Sequence, residues 1–130
     1  GDLSHYNSCN VLSLHALLGA YSDEGAQWLD ELRPVLADNI RYACDFIAAH
    51  FPGVQVMQPQ GTYMLFLDCA AWLQEHHMTL RELEERGARA GVIWQDGAAF
   101  AWPDSIRMNL ALPHSRLVEA MERLRKYAFC

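Results

Sequence analysis

The sequence predicts an α+β fold: a small, mostly antiparallel sheet with helices packed on one face, preceded by two helices. Three observations lead there. Apolar residues recur at helical spacing near both ends of the chain. Short runs of β-type composition lie between them, punctuated by Pro59, Gly61 and the Asp96-Gly97 pair. No internal repeat interrupts this order. The 130 residues match the usual size of one domain, residues 1–130, with enough chain to bury a core without staples.

The elements follow in order. The first ten residues carry polar and turn-forming types without a period and read as an entry segment. Val11, Leu14, Leu17, Leu18 and Tyr21 then step at helical spacing, with Asn10 or Ser8 as cap. After a break at residues 22–25, Leu29, Leu32, Leu36, Ile40, Ala43 and Ile47 form one stripe of a long helix. Pro34 offers no N–H to the carbonyl of Asp30, so a kink or break is expected near Arg33. Pro52-Gly53 ends that helix.

Two strands are expected near residues 54–58 and 62–68. Thr79-Leu80-Arg81-Glu82 fits a capping box, and the helix it opens should end at Gly87 or Gly91. Val92-Ile93-Trp94 reads as a short strand and Ser105–Leu110 as another. Ser115 is the expected cap of a last helix striped by Leu117, Ala120, Met121, Leu124 and Ala128.

Composition narrows the function. The chain is 52% apolar and 20% charged with net charge −6, which excludes a disordered tail. Its nine arginines and one lysine are scattered, whereas a nucleic-acid surface needs clustered cations. No run approaches a membrane span, and no charged-then-apolar leader opens the chain. Cys9, Cys44, Cys69 and Cys130 form no CxxC pair and no zinc spacing, as in a reduced cytoplasmic protein. No GxGxxG or GxxxxGK[ST] loop is present to cradle a phosphate.

Few residues point to chemistry. Adjacent His76 and His77, beside Glu75, diverge by about 100° on a helix and read as a solvated loop rather than metal ligands. His5, His15, His50 and His114 show no i, i+4 pair, and no metal site is expected. The cysteines lack a local group that would lower a thiol pKa. Glu82, Glu84 and Glu85 alternate with Arg81, Arg86 and Arg89 as a solvated ion-paired face. Arg107 differs. Alternation along Ile106-Arg107-Met108 sets it on the face opposite its neighbours, where it either meets a carboxylate of its own fold or grips one from a ligand in two places.

Three segments, GAQWLDELRPVLADN (25–39), QPQGTYMLFLD (58–68) and SIRMNLALP (105–113), come in an order and spacing that resemble class I/II aminotransferases. Within that group they are most similar to the cystathionine β-lyase, or C–S lyase, branch. The resemblance runs from about Asn10 to Leu124. It implies a fold-type I enzyme that binds pyridoxal 5′-phosphate, with this chain as its C-terminal small domain. It also implies that Arg107, with Asn109, binds the substrate α-carboxylate.

The cofactor-holding lysine, the aspartate facing the pyridine nitrogen and most phosphate ligands would then lie upstream in a large domain. Lys126 is in the wrong helix for that role. No catalysis is therefore expected of the chain alone, nor a cofactor bound to it. The parent would act on an amino acid as a C–S β-lyase, with amino transfer as the alternative and a stand-alone α+β ligand-binding module as a third reading. Family members carry an F-G-x-x-G-type loop before the arginine; here Phe100-Ala101-Trp102-Pro103-Asp104-Ser105 is shorter and lacks the glycines. Pro-Arg often follows the family's strand, where this chain has Pro113-His114. Val11–Tyr21 and Trp28 would meet the large domain or a dimer partner, so a chain without that domain should self-associate.

Overall fold

The computed structural model describes residues 9–130. The expected entry segment 1–8, with His5 and the alternative cap Ser8, lies outside the described residues. The chain divides into two compact units, Gly1–Pro34 and Val35–Cys130.

The first unit holds helix α1, Val11–Ala20. The Asn10 carboxamide oxygen caps it, accepting from the Ser13 amide at 2.8 Å. Every residue of α1 is exposed. The unit also contains the start of α2, Asp23–His50. Of the kink or break expected near Arg33, the break is absent: α2 runs uninterrupted through Pro34. Asp30 and Pro34 are both exposed, so water can take the carbonyl that proline leaves free. The division between units nevertheless falls immediately after Pro34.

In the second unit the rest of α2 lays Ile40, Ala43 and Ile47 into the core. A four-stranded antiparallel sheet follows, with β1 Gln55–Val56, β2 Met64–Asp68, β3 Gln95–Asp96 and β4 Ser105–Asn109 in the order β1-β2-β4-β3. The first two strands are shorter than the sequence predicts. The third begins three residues later than Val92-Ile93-Trp94, because Gln95 and Asp96 are the residues that reach Arg107 and Ile106 on β4. Ile93 is almost fully exposed.

One sheet face carries Leu65, Leu67, Ile106 and Met108 into a single core with Trp72, Leu83, Leu117, Met121 and Leu124 from the helices. Each such side chain contributes roughly 1.5–3 kcal/mol on burial, before ordering costs.

A helix absent from the sequence reading, α3 Ala70–Glu75, follows β2 directly. It is too short to show a period, yet it buries Trp72 and Leu73. His76 ends it, with its ring stacked 4.0 Å from that of Trp72 and its Nδ1 2.8 Å from the Trp72 carbonyl. The capping box of α4, Leu80–Arg89, forms in full. Gly91, at φ +80°, follows that helix as its stop, while Gly87 is inside it against the Trp94 ring. The last helix, α5 His114–Tyr127, starts one residue before the expected cap Ser115. Pro113, at φ −56°, already presents the geometry that opens a helix, and no side chain caps it. Leu117, Met121, Leu124 and Ala128 are buried as the stripe requires.

Candidate functional site

The sheet face turned away from the helices gathers the residues of interest. Cross-strand register sets Phe66 of β2, Arg107 of β4 and Gln95 of β3 side by side. Arg107 is half-buried there, and its guanidinium is oriented on two sides. Its Nε donates to Gln95 Oε1 at 2.8 Å, and one Nη donates to the same oxygen. Its flat face lies 3.9 Å from the centroid of the Phe100 ring. Phe66 meets Phe100 edge-on at 5.8 Å and stacks on Trp102 at 5.9 Å. Phe100 thus covers one face of the cation, with Phe66 and Trp102 packed beside it.

The segment between β3 and β4 positions Phe100 and Trp102. The Asp96 carboxylate accepts from the Ala98 amide at 2.7 Å and opens a 3-10 turn, Gly97–Phe100. Gly97 is required by close approach: a Cβ would fall 1.8 Å from Ser105 Oγ and 2.7 Å from the Trp102 carbonyl. Ala101 and Asp104 hold φ values of +58° and +57°, at the two places where the F-G-x-x-G pattern has glycine. All five positions of the pattern are thus present at residues 100–104, so the expectation of a shorter loop does not hold; the loop keeps a glycine-type backbone without glycine, and Phe100 lies over Arg107.

Asn109, two residues along the same strand face, spends its side-chain oxygen on the Ala111 amide at 2.8 Å. It shapes the turn that leaves β4. Its Nδ2 has no protein acceptor among the described residues.

Behind this strand sits a residue that sequence reasoning missed. Asn39 is completely buried, and its Nδ2 donates to the carbonyls of Leu110 and Leu112, both at 2.9 Å. Its Oδ1 accepts from His114 Nδ1 at 3.0 Å, which places the proton on that nitrogen. The side chain anchors the exit of β4 to α2. One signal was available: Asn39 is a polar residue three positions after Leu36 and four before Ala43, on the apolar stripe itself. Gln95 was missed because its register with Arg107 exists only in the folded sheet.

Other candidates separate from this face. Cys69 is buried and its thiol is pushed up to about 12, chiefly by burial and then by Asp68 and Asp104. Such a thiol is a poor nucleophile. No three metal-binding side chains converge among the described residues. A cleft of about 620 Å3 between α4 and α5 is lined by Arg86, Arg89 and Arg123. Its cations are engaged already: Arg86 and Arg123 reach carbonyls of Ala128 and Ala90, and Arg89 pairs with Glu85. Among the described residues, no helix is long and apolar enough to cross a membrane.

Residues 2–124 match the family described as aminotransferase class I and II. The chain belongs to that family. Among relatives of this aminotransferase-family chain, Protein MalY of Escherichia coli is 33% identical over 91% of the chain, and cystathionine beta-lyase of Corynebacterium glutamicum is 35% identical over 88%. The crystal structure of cystalysin from Treponema denticola, which contains pyridoxal 5′-phosphate, superposes with a TM-score of 0.77 at 28% identity. It covers 90% of this chain and 29% of cystalysin. The PLP-bound C-S lyase of Staphylococcus hominis shares the fold, with a TM-score of 0.80 at 24% identity, covering 94% of this chain and 33% of the lyase. The chain spans about 30% of the length of MalY and of the Corynebacterium enzyme.

The residues described here do not build a pyridoxal phosphate site. The one lysine of the sequence, Lys126, lies on α5 with its ammonium 5.1 Å from the Tyr127 ring, on a different element from the Arg107 strand. What this face offers is a half-buried guanidinium, held by Gln95 and Phe100, with its Nη1 unpartnered among the described residues.

Proposed function

We propose that the chain is the substrate-carboxylate-binding small domain of a pyridoxal-phosphate-dependent enzyme that acts on amino acids, and that the reaction is β-elimination from cystathionine or a related cysteine S-conjugate. The observation that carries this is the Arg107 guanidinium, held half-buried under the Phe100 ring with one nitrogen, Nη1, unpartnered among the described residues. Kinship with the cystathionine beta-lyase of Corynebacterium glutamicum supports the lyase assignment, and kinship with cystalysin supports the cofactor. The cofactor would be held by residues outside this chain, so the isolated chain is inactive.

Arg107 binds the α-carboxylate through charge-assisted bonds and fixes the substrate, while the Phe100 ring limits water around that ion pair. Asn109, on the same strand face, is proposed as a second contact through its free Nδ2. Amino transfer is the second reading, favoured by the family's own description.

The full-length enzyme fed cystathionine separates the two. Pyruvate, ammonia and a thiol in equal amounts support the lyase, and turnover that depends on an added keto acid supports the transferase. Arg107→Ala should raise KM and lower kcat/KM with the cofactor still bound, and Arg107→Lys should restore only part. Unchanged kinetics in both variants would return Arg107 to a purely structural role.

We further propose that the parent is a homodimer, works in the cytoplasm, and covers α1 in its assembly. Val11, Leu12, Leu17, Leu18 and Tyr21 are all more than half exposed, an apolar surface that water does not favour. The isolated chain should sediment as a self-associated species at micromolar concentration. A clean monomer, unchanged by Leu14→Glu and Leu18→Glu, would count against this.

A further inference from the structure

An arginine offers a ligand three surfaces: the side edge formed by Nε and one Nη, the end edge formed by both Nη atoms, and the flat face. Two of these are taken at Arg107. Gln95 Oε1 receives both side-edge donors, and Phe100 covers the flat face. Nη1, on the end edge, has no protein partner among the described residues. The partner that fills the side edge is a neutral amide. A carboxylate there would neutralise the guanidinium and compete with any incoming anion. An amide oxygen orients the same donors and leaves the positive charge uncancelled.

Gln95 also sits where it can do this reliably. It is the direct cross-strand partner of Arg107 at the sheet edge, and the next residue, Asp96, opens the turn that delivers Phe100 to the other side of the guanidinium.

We infer that Gln95 is a positioning residue for the substrate carboxylate: it grips Arg107 by the side edge and presents the end edge, with its charge intact, to the ligand. The inference rests on the reading of Arg107 as the carboxylate clamp. Gln95 itself does not touch the substrate. Its effect is preorganisation, which appears in binding rather than in the chemical step.

The test uses the full-length enzyme with cystathionine as substrate and propionate as a competing carboxylate. Gln95→Leu keeps the bulk but removes the acceptor. It should raise KM and the propionate inhibition constant together by about tenfold, with kcat changed less than twofold, because bonds to a charged group are among the stronger ones. Gln95→Glu should raise both further, since a carboxylate on the side edge would neutralise the guanidinium that the ligand must pair with. In Arg107→Ala, adding Gln95→Leu should change nothing more, a non-additivity that a merely structural role would not produce. In the 130-residue chain itself, the Arg107 Nε–H resonance should exchange slowly with water and lose that protection in Gln95→Leu.

A wild-type KM in Gln95→Leu, alongside a raised KM in Arg107→Ala, overturns this inference alone. Additive effects in the double variant, or an Nε–H that exchanges equally fast with and without Gln95, overturn it as well. A KM unmoved by Arg107→Ala overturns the clamp reading beneath it, and this inference with it.

Discussion

Replacing Asn39 with alanine tests how the strand that bears Arg107 is held. The carboxamide is fully buried and makes three bonds, two donated to the Leu110 and Leu112 carbonyls and one accepted from His114. The losses are unequal. The Leu110 carbonyl keeps a bond from the Leu112 amide at 3.0 Å. The Leu112 carbonyl keeps none among the described residues, and stranding such a group costs about 1–3 kcal/mol. The exposed His114 ring can turn to water.

Together with the weakened Leu110 bond, Asn39→Ala should cost about 2–4 kcal/mol. At about 4 °C per kcal/mol for a chain of this size, the midpoint should fall by roughly 8–16 °C. Thermal unfolding followed by circular dichroism measures that fall, and urea unfolding measures the loss of free energy, with the slope unchanged. Asn39→Leu keeps most of the volume and removes only the polar bonds, so it should fall almost as far. Asn39→Asp should be worst at neutral pH, because a buried carboxylate would face two carbonyls. Its folded-state pKa would be raised above the unfolded value, so that its deficit shrinks as pH falls. Alanine and leucine variants within 0.5 kcal/mol of the wild type would refute the reasoning.

Three further outcomes are expected. Ala101 pays the left-handed penalty of an L-residue at φ +58°, about 1–2 kcal/mol, against roughly 0.4–1 kcal/mol of extra unfolded-state freedom for glycine. Ala101→Gly should therefore raise the urea midpoint, and a lowered midpoint would contradict the strain argument. The Glu82 carboxyl is held below its ordinary range, first by the Thr79 backbone amide and then by the Thr79 hydroxyl. A depressed folded-state pKa means that its stabilisation is present above the unfolded pKa and disappears as pH falls through the folded one. Glu82→Gln should flatten the acid limb of stability measured from pH 7 to 3, and an unchanged limb would exclude Glu82 as its source. Thiol labelling of the native chain should modify exposed Cys9 and Cys130 first and Cys44 later. Cys69 should label only on unfolding, because burial holds its thiol near 12; native-state labelling of Cys69 at the Cys9 rate would show that the core opens.

Local chemistry made much of this protein legible in one dimension. The capping box at Thr79, the Asn10 cap, the stop at Gly91 and the stripes ending in Ile47 and Ala128 each arise from residues within a turn or two of one another. Alternation along Ile106-Arg107-Met108 likewise set Arg107 apart, and the structure puts it on the face away from the core. Among the elements that went differently, three show why. Helix α3 is shorter than the window in which a period can be seen, the third strand begins where pairing with β4 becomes possible, and α2 survives Pro34 because solvent reaches the freed carbonyl.

The sequence by itself determined the α+β class, most of the element order and the singular position of Arg107, because periodicity and capping depend on near neighbours. Only the tertiary structure decided what surrounds that arginine. Gln95 lies 12 residues away and Asn39 bonds across more than 70, so their partnership depends on strand register and on helix packing against the sheet. Contacts of that span leave no local mark in the chain, since the residues that make them are adjacent only once the core has formed.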